Sequence, residues 1–216
     1  MISKGIYFND LHSYNDFNLI LTDAYIAPAK AKTDYVDIPG RDSALDLTEA
    51  LGEVKYNDRD CRFTFVVHTK DTKTYEQKLS EVSNSINGKK MQIILDADNE
   101  YYYSGRVHVD EHSLKGNLRK IMVTGKVEPY KYKHNKTVVS VSVTGEAQEI
   151  ILTNERMSVV PEFTCTGETT IIFGNITHTM NAGTHIFADI LLKQGENVLT
   201  VSGSDTLTVL YQEGAL

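Results

Sequence analysis

Residues 71–87 read DTKTYEQKLSEVSNSIN. Tyr75, Leu79, Val82 and Ile86 fall at i, i+4, i+7 and i+11, one stripe along a helix. The start offers two caps: Asp71, or a capping box in which Gln77 follows Thr74 by three residues. Asn87-Gly88 supplies the stop. A single apolar stripe suits a helix laid on a sheet. A partner-binding helix would use the same pattern, but a helix with one stripe ordinarily spends it on its own core. This segment decides the fold class because it breaks a period that holds on both sides of it.

That surrounding period is two. Residues 61–67, CRFTFVV, put Phe63 and Phe65 on one face and Arg62 and Thr64 on the other. Residues 91–95, MQIIL, form a short apolar run, and 101–109, YYYSGRVHV, alternate around Gly105. Residues 120–127, KIMVTGKV, do the same. Asp98-Asn99 is expected as the turn of a hairpin between two of these strands. After EPYKYK at 128–133 the composition changes from charge-dense to rich in Thr, Val and Gly: TVVSVSVTG, EIILTN, EFTCTG, TTIIFGN, DILLKQGEN, VLTVSGS, TLTVLYQEG. Seven or eight short strands at roughly ten-residue spacing predict a β-sandwich. The expected fold is therefore mainly β. An N-terminal β-sandwich-like domain over 1–130 carries one amphipathic helix at about 71–87, and a second β-sandwich occupies 131–216.

The chain has 216 residues, 41% hydrophobic and 24% charged, enough for one or two ordinary globular domains. Its formal net charge is -7, and no basic run exceeds Lys89-Lys90, so a nucleic-acid surface is not indicated. Cys61 and Cys165 stand 104 positions apart and read as free thiols of a reducing compartment. The start, MISKGIYFNDLHSYND, lacks the apolar stretch of a signal peptide, and no run reaches membrane-span length. A soluble protein made in a cytoplasm, with no membrane partner, is expected. His108 and His112 have HxxxH spacing, but RVHVD alternates, which places His108 on a strand and argues against a metal site. His178 and His185 flank Asn181-Ala182-Gly183 and are expected to face each other across a hairpin. Asp96 and Asp98 are explained as turn residues. No GxGxxG, GxxxxGK[ST] or GxSxG occurs. No cofactor, metal or catalytic constellation is read, which points away from an enzyme.

Residues 39–48 read PGRDSALDLT. Proline and glycine set a turn, Arg41 stands beside Asp42, and Asp46 follows in a short polar-apolar alternation. Further points stand in order along the chain. They are Tyr56, Arg59, Phe63 and Phe65, then Leu95, Asp96, Tyr101 to Tyr103, Gly105 and Arg106. PYKY follows at 129–132, and Gly195, Glu196, Asn197, Gly203 and Tyr211 mark the ending. With these, the chain resembles the distal tail protein (Dit, siphovirus tail component) family of long-tailed bacteriophages with non-contractile tails. The resemblance covers nearly the whole chain. Ser43 stands where the family often has glycine, a departure that touches only local turn geometry.

The resemblance implies a structural tail-tip protein of a phage or prophage. A homohexameric ring is formed by the N-terminal belt domain, and a galectin-like β-sandwich decorates its outside. The ring, a baseplate hub, would join the tail tube protein to the tail-associated fibre or lysin protein and in some phages carry receptor-binding proteins. It would be assembled in the host bacterial cytoplasm and end at the virion tail tip. The acidic charge fits a channel that lets phage DNA pass without holding it. Arg41, Asp42 and Asp46 are expected at the subunit interface, where an arginine beside carboxylates fixes the angle between neighbours. The alternative is an Arg41–Asp46 pair that pins the loop within its own subunit. Strand 61–67 could add edge pairing, though a core role is favoured. A contrasting function is a two-domain carbohydrate-binding adhesin at a bacterial cell wall. It requires a solvent-facing aromatic cluster among Tyr132, Phe163, Phe173, Phe187 and Tyr211. A hydrolase would require a carboxylate pair in a cleft.

Overall fold

The structure, a computed structural model, describes residues 5–69, 71–115, 118–203 and 206–216, with the side chains of 111–115 and 118 outside the description. The chain divides into two compact units, Met1–Lys131 and Tyr132–Leu216. The first unit holds β1 (Ile6–Phe8), β2 (Leu11–His12), β3 (Ile20–Ile26), β4 (Tyr35–Val36), β5 (Leu45–Asp46) and β6 (Arg59–Val67). After these come α1 (Thr72–Ile86), β7 (Lys90–Leu95), β8 (Asp98–Lys115) and β9 (Leu118–Lys133). Seven of these strands follow one another in a sheet in the order β2-β1-β7-β8-β9-β6-β3, while β4 and β5 pair apart from it.

Alternation in the sequence becomes the two faces of β6. Cys61, Phe63, Phe65 and Val67 are buried, and the residues between them point away. Across β9, Phe63 stands opposite Val123 and Phe65 opposite Ile121, all four buried. The sheet curls onto itself, giving the sandwich-like unit. Phe8 lies on β1, four places from β6 in sheet order, yet its ring meets Phe63 and Phe65 edge-on at 6.1 and 6.3 Å. Two glycines, one on β8 and one on β9, stand where the backbone of the other strand leaves no room for a side chain. A Cβ on Gly105 would lie 2.2 Å from the Lys126 carbonyl oxygen, and one on Gly125 would lie 2.2 Å from that of Arg106.

The helix forms where its period predicts. Of the two possible caps the structure uses Asp71. Its Oδ1 accepts from the Thr74 N–H at 2.8 Å, and its Oδ2 accepts from the Thr74 hydroxyl at 2.8 Å. Thr74 is already inside the first turn, so it is not itself the capping residue. Tyr75, Val82 and Ile86 are buried and Leu79 packs beside them, so the stripe is consumed by the core. The Tyr75 hydroxyl ends on the Lys120 carbonyl at 3.0 Å. The expected hairpin turn is displaced: Leu95 already pairs with Asp98, so Asp96 and Ala97 turn the chain and Asp98 and Asn99 are strand. The shift has a cause. The Asp96 carboxylate is needed off the strand, where it accepts from the Gly5 N–H at 2.6 Å.

The second unit contains β10 (Thr137–Ser142), β11 (Gln148–Asn154), β12 (Glu162–Cys165), β13 (Thr169–Phe173), β14 (Ile176–Met180), β15 (Gly183–Ile186), β16 (Gly195–Gly203) and β17 (Thr206–Tyr211). They form two four-stranded sheets, β10-β17-β12-β15 and β11-β16-β13-β14, around Leu152, Phe163, Ile171, Leu199, Val201, Leu207 and Val209. The mainly-β fold with one helix is as the sequence predicts. His178 and His185 do not face each other across a hairpin. Strand β14 pairs with β13 and β15 with β12, so the chain changes sheets between them. Both imidazoles instead lie almost parallel to the Phe187 ring, at 4.0 and 6.1 Å. His178 meets the Asp189 carboxylate at 2.9 Å, and His185 the Asn181 carbonyl at 2.8 Å.

Candidate functional site

Between β3 and β6 the chain leaves the sheet as an arm, residues 27–58, held together by a thin backbone ladder. Ala27 N–H donates to the Asp60 carbonyl at 2.9 Å, Asn57 N–H to Lys30 at 2.9 Å and Lys32 N–H to Lys55 at 2.8 Å. Further out β4 and β5 pair, Tyr35 opposite Asp46 and Val36 opposite Leu45. The root is clamped by a buried arginine. Arg59 Nε donates to the Ala27 carbonyl at 2.5 Å, and the guanidinium lies 5.3 Å from the centre of the Tyr103 ring. Tyr56 meets Tyr130 edge-on at 5.9 Å. In the sequence Arg59 stands out only as a point of resemblance. The signal for its role was its phase, since it alternates with Cys61 and Phe63 on the buried face.

At the tip, Pro39-Gly40 forms a type II turn. Arg41 N–H donates to the Ile38 carbonyl at 3.1 Å, and Gly40 has φ +84°, a conformation open to glycine. Asp46 is fixed on the returning strand, its Oδ1 accepting from the Thr48 N–H at 2.9 Å. Hydrogen bonds from the Thr48 side chain, the Thr48 N–H and the Tyr35 hydroxyl hold its carboxyl below the ordinary aspartate range. Because the folded value is the lower one, the support these bonds give is complete above the unfolded value and is lost as pH falls through the folded value. A carboxyl-detected NMR titration should find the Asp46 midpoint below that of a model aspartate, and Thr48→Val should move it upward. An unmoved midpoint in T48V contradicts the assignment.

Arg41, Asp42 and Asp46 all lie exposed on this arm, on the tip and its returning side. Among the described residues, neither the Arg41 nor the Asp42 side chain forms a hydrogen bond or ion pair. The internal Arg41–Asp46 pair is therefore not made; Asp46 is engaged by Thr48 instead. Beside them stand exposed apolar side chains: Tyr35 at 59% exposure, with Val36, Ile38 and Leu45. Residues Ala31, Thr33, Asp46, Thr48, Glu49 and Val54 line a cavity of about 380 Å³ in the arm. Clustered apolar exposure beside charge is the character of a contact surface. The sheet edges are poor substitutes. Strand β6 is paired on both sides and has no free edge, which removes the edge pairing considered for 61–67. The outer strands are β2, only two residues long, and β3, irregular between Leu21 and Asp23.

Elsewhere in the first unit, histidine and aspartate side chains make local bonds. His12 Nδ1 accepts from the Asn15 N–H at 3.1 Å, which leaves Nε2 to face Asp96 at 3.2 Å. Asp98 pairs with Lys131 at 2.7 Å. His108 is on β8, and the His112 side chain lies outside the described residues. Among the described residues no three His, Cys, Asp or Glu side chains are grouped to hold a metal, and no helix is long and apolar enough to cross a membrane. In the second unit Phe163 and Tyr211 are buried, and Tyr132, Phe173 and Phe187 are half-buried. Cys61 and Cys165 are buried free thiols. Burial, with a smaller push from Asp60, raises the Cys61 thiol to about 11.

No protein-family model matches this sequence, and no curated protein does. Among solved structures the chain is similar to the crystal structure of the Dit (gp 19.1) protein of SPP1, described as a paradigm of the hub adsorption apparatus in phages infecting Gram-positive bacteria. The TM-score is 0.72 over 99% of each chain, at 14% identity. The match takes in both units, and the fold is the Dit fold.

Proposed function

We propose that this chain, having the Dit fold, is a non-enzymatic structural protein of a phage tail tip. It assembles as a homohexameric ring, the hub that joins the tail tube protein to the tail-associated fibre or lysin protein. The first unit makes the ring. The second is a galectin-like β-sandwich carried outside it, placed to anchor receptor-binding proteins, and phage DNA passes through the channel. The observation that carries this reading is the whole-length fold match. The projecting arm supports it, since a ring needs a head-to-tail surface that closes by rotation. The adhesin reading lacks comparable support, because none of the five aromatic side chains it would use is fully exposed.

The test is the mass of the purified protein by light scattering, with negative-stain images of the same fraction. Six copies of a 24.2 kDa chain should give about 145 kDa and annular particles. A single-copy mass at every concentration, without annuli, overturns the ring.

A further inference from the structure

The arm carries two complementary features at different heights. Between Thr33 and Val54 there is one cation, Arg41, against six carboxylates: Asp34, Asp37, Asp42, Asp46, Glu49 and Glu53; nearer the root the arm adds the exposed Lys30, Lys32 and Lys55 and one more carboxylate, Asp58. The type II turn holds Arg41 at the tip, and its guanidinium has no partner among the described residues. The cavity lies lower on the arm, bounded by Asp46 and by Glu49, whose carboxylate is likewise unpaired among the described residues. Arg41 does not reach Asp46 within the chain. The exposed Tyr35, Val36, Ile38 and Leu45 lie between tip and cavity and would leave water only when covered.

Resting on the ring reading, we propose that the arms interlock head to tail, the occupant of the cavity being a second copy of this chain. Arg41 at the tip of one arm enters the cavity of the next and pairs with Glu49, with Asp46 at its rim. The offset between tip and cavity makes the contact heterologous. Each copy gives its tip forward and leaves its own cavity open for the copy behind, which is the connection a closed ring requires. Covering the apolar side chains supplies association energy, and the guanidinium–carboxylate fork sets the angle. The arm's excess of carboxylates, seven against four cations over residues 27–58, disfavours unspecific contact between the outer parts of two arms, where Arg41 is the one cation.

The experiment is a charge exchange, read by sedimentation across a concentration series: wild type, Arg41→Glu, Glu49→Arg and the double variant. All of these positions are exposed, and circular dichroism checks the fold of each. Each single variant should weaken assembly tenfold or more, the effect of about 1.4 kcal/mol, and the double variant should regain most of the loss. Arg41→Ala gives a second reading that adds no repulsion and should also weaken assembly. A wild-type ring with R41E and R41A assembling equally well overturns the interlock and leaves the ring standing, as does a double variant no better than either single. A wild type that never assembles overturns the ring and the interlock together.

Discussion

Phe63→Ala should destabilise the first unit by about 3–5 kcal/mol. The side chain is fully buried in the middle of β6. It faces Val123 across β9 and Ala24 across β3, and takes the edge of Phe8 from the far side of the curled sheet. Its removal forfeits the transfer energy of a benzyl group and opens a void between two layers that cannot collapse without unrolling the sheet. For a domain of ordinary stability, about 5–15 kcal/mol, that is a large share of the total. Urea denaturation followed by circular dichroism should show the transition of the first unit moving to lower denaturant with its slope retained, while that of the second stays in place. A midpoint unchanged in F63A would mean that the two faces of the curl are not packed as described.

Gly125→Ala is the second large effect, and its cause is opposite. A methyl group here meets the Arg106 carbonyl oxygen at 2.2 Å and the Val107 Cα at 3.0 Å. Both obstacles are backbone, so no rotamer change relieves the clash, and β8 must move away from β9. Overpacking costs about 1–3 kcal/mol, and a backbone obstacle places this case at about 3 kcal/mol. Lys126→Ala, one residue along and exposed, serves as the control and should change stability by no more than about 0.5 kcal/mol. Adding Gly105→Ala to Gly125→Ala should cost less than its effect alone, because the strands are already parted. Comparable urea midpoints for G125A and K126A would show that the two strands are not held this close.

The legible and illegible parts of the fold separate along one physical line. Short-range regularities were readable. Tyr75, Leu79, Val82 and Ile86 announce a helix because their spacing matches its turn, and Phe63 and Phe65 announce a strand face for the same kind of reason. Long-range pairing was not. Nothing local in Phe8 says that it will touch Phe63, since that contact depends on five strands rolling together. His178 and His185 misled because a turn between two strand-forming runs normally joins partners, whereas here it joins two sheets. At the candidate site, PGRDSALDLT was readable as a charged turn. What could not be read was that Tyr35, Val36 and Ile38 project on an arm, because apolar residues at strand-forming positions look alike whether they face a core or a neighbour.

The distribution of sulfur has a practical consequence. Each unit holds one cysteine, and both thiols are closed off from water. Cys61 is further quietened by its raised ionisation, which leaves little thiolate at neutral pH. The chain therefore has a built-in two-channel recorder of local opening. An alkylating reagent left with the native protein marks Cys61 only when the first unit breathes and Cys165 only when the second does. Peptide masses then assign each event to its unit. A probe thiol engineered onto the surface, by contrast, would react at once and stand alone as a clean attachment point for a dye or a spin label.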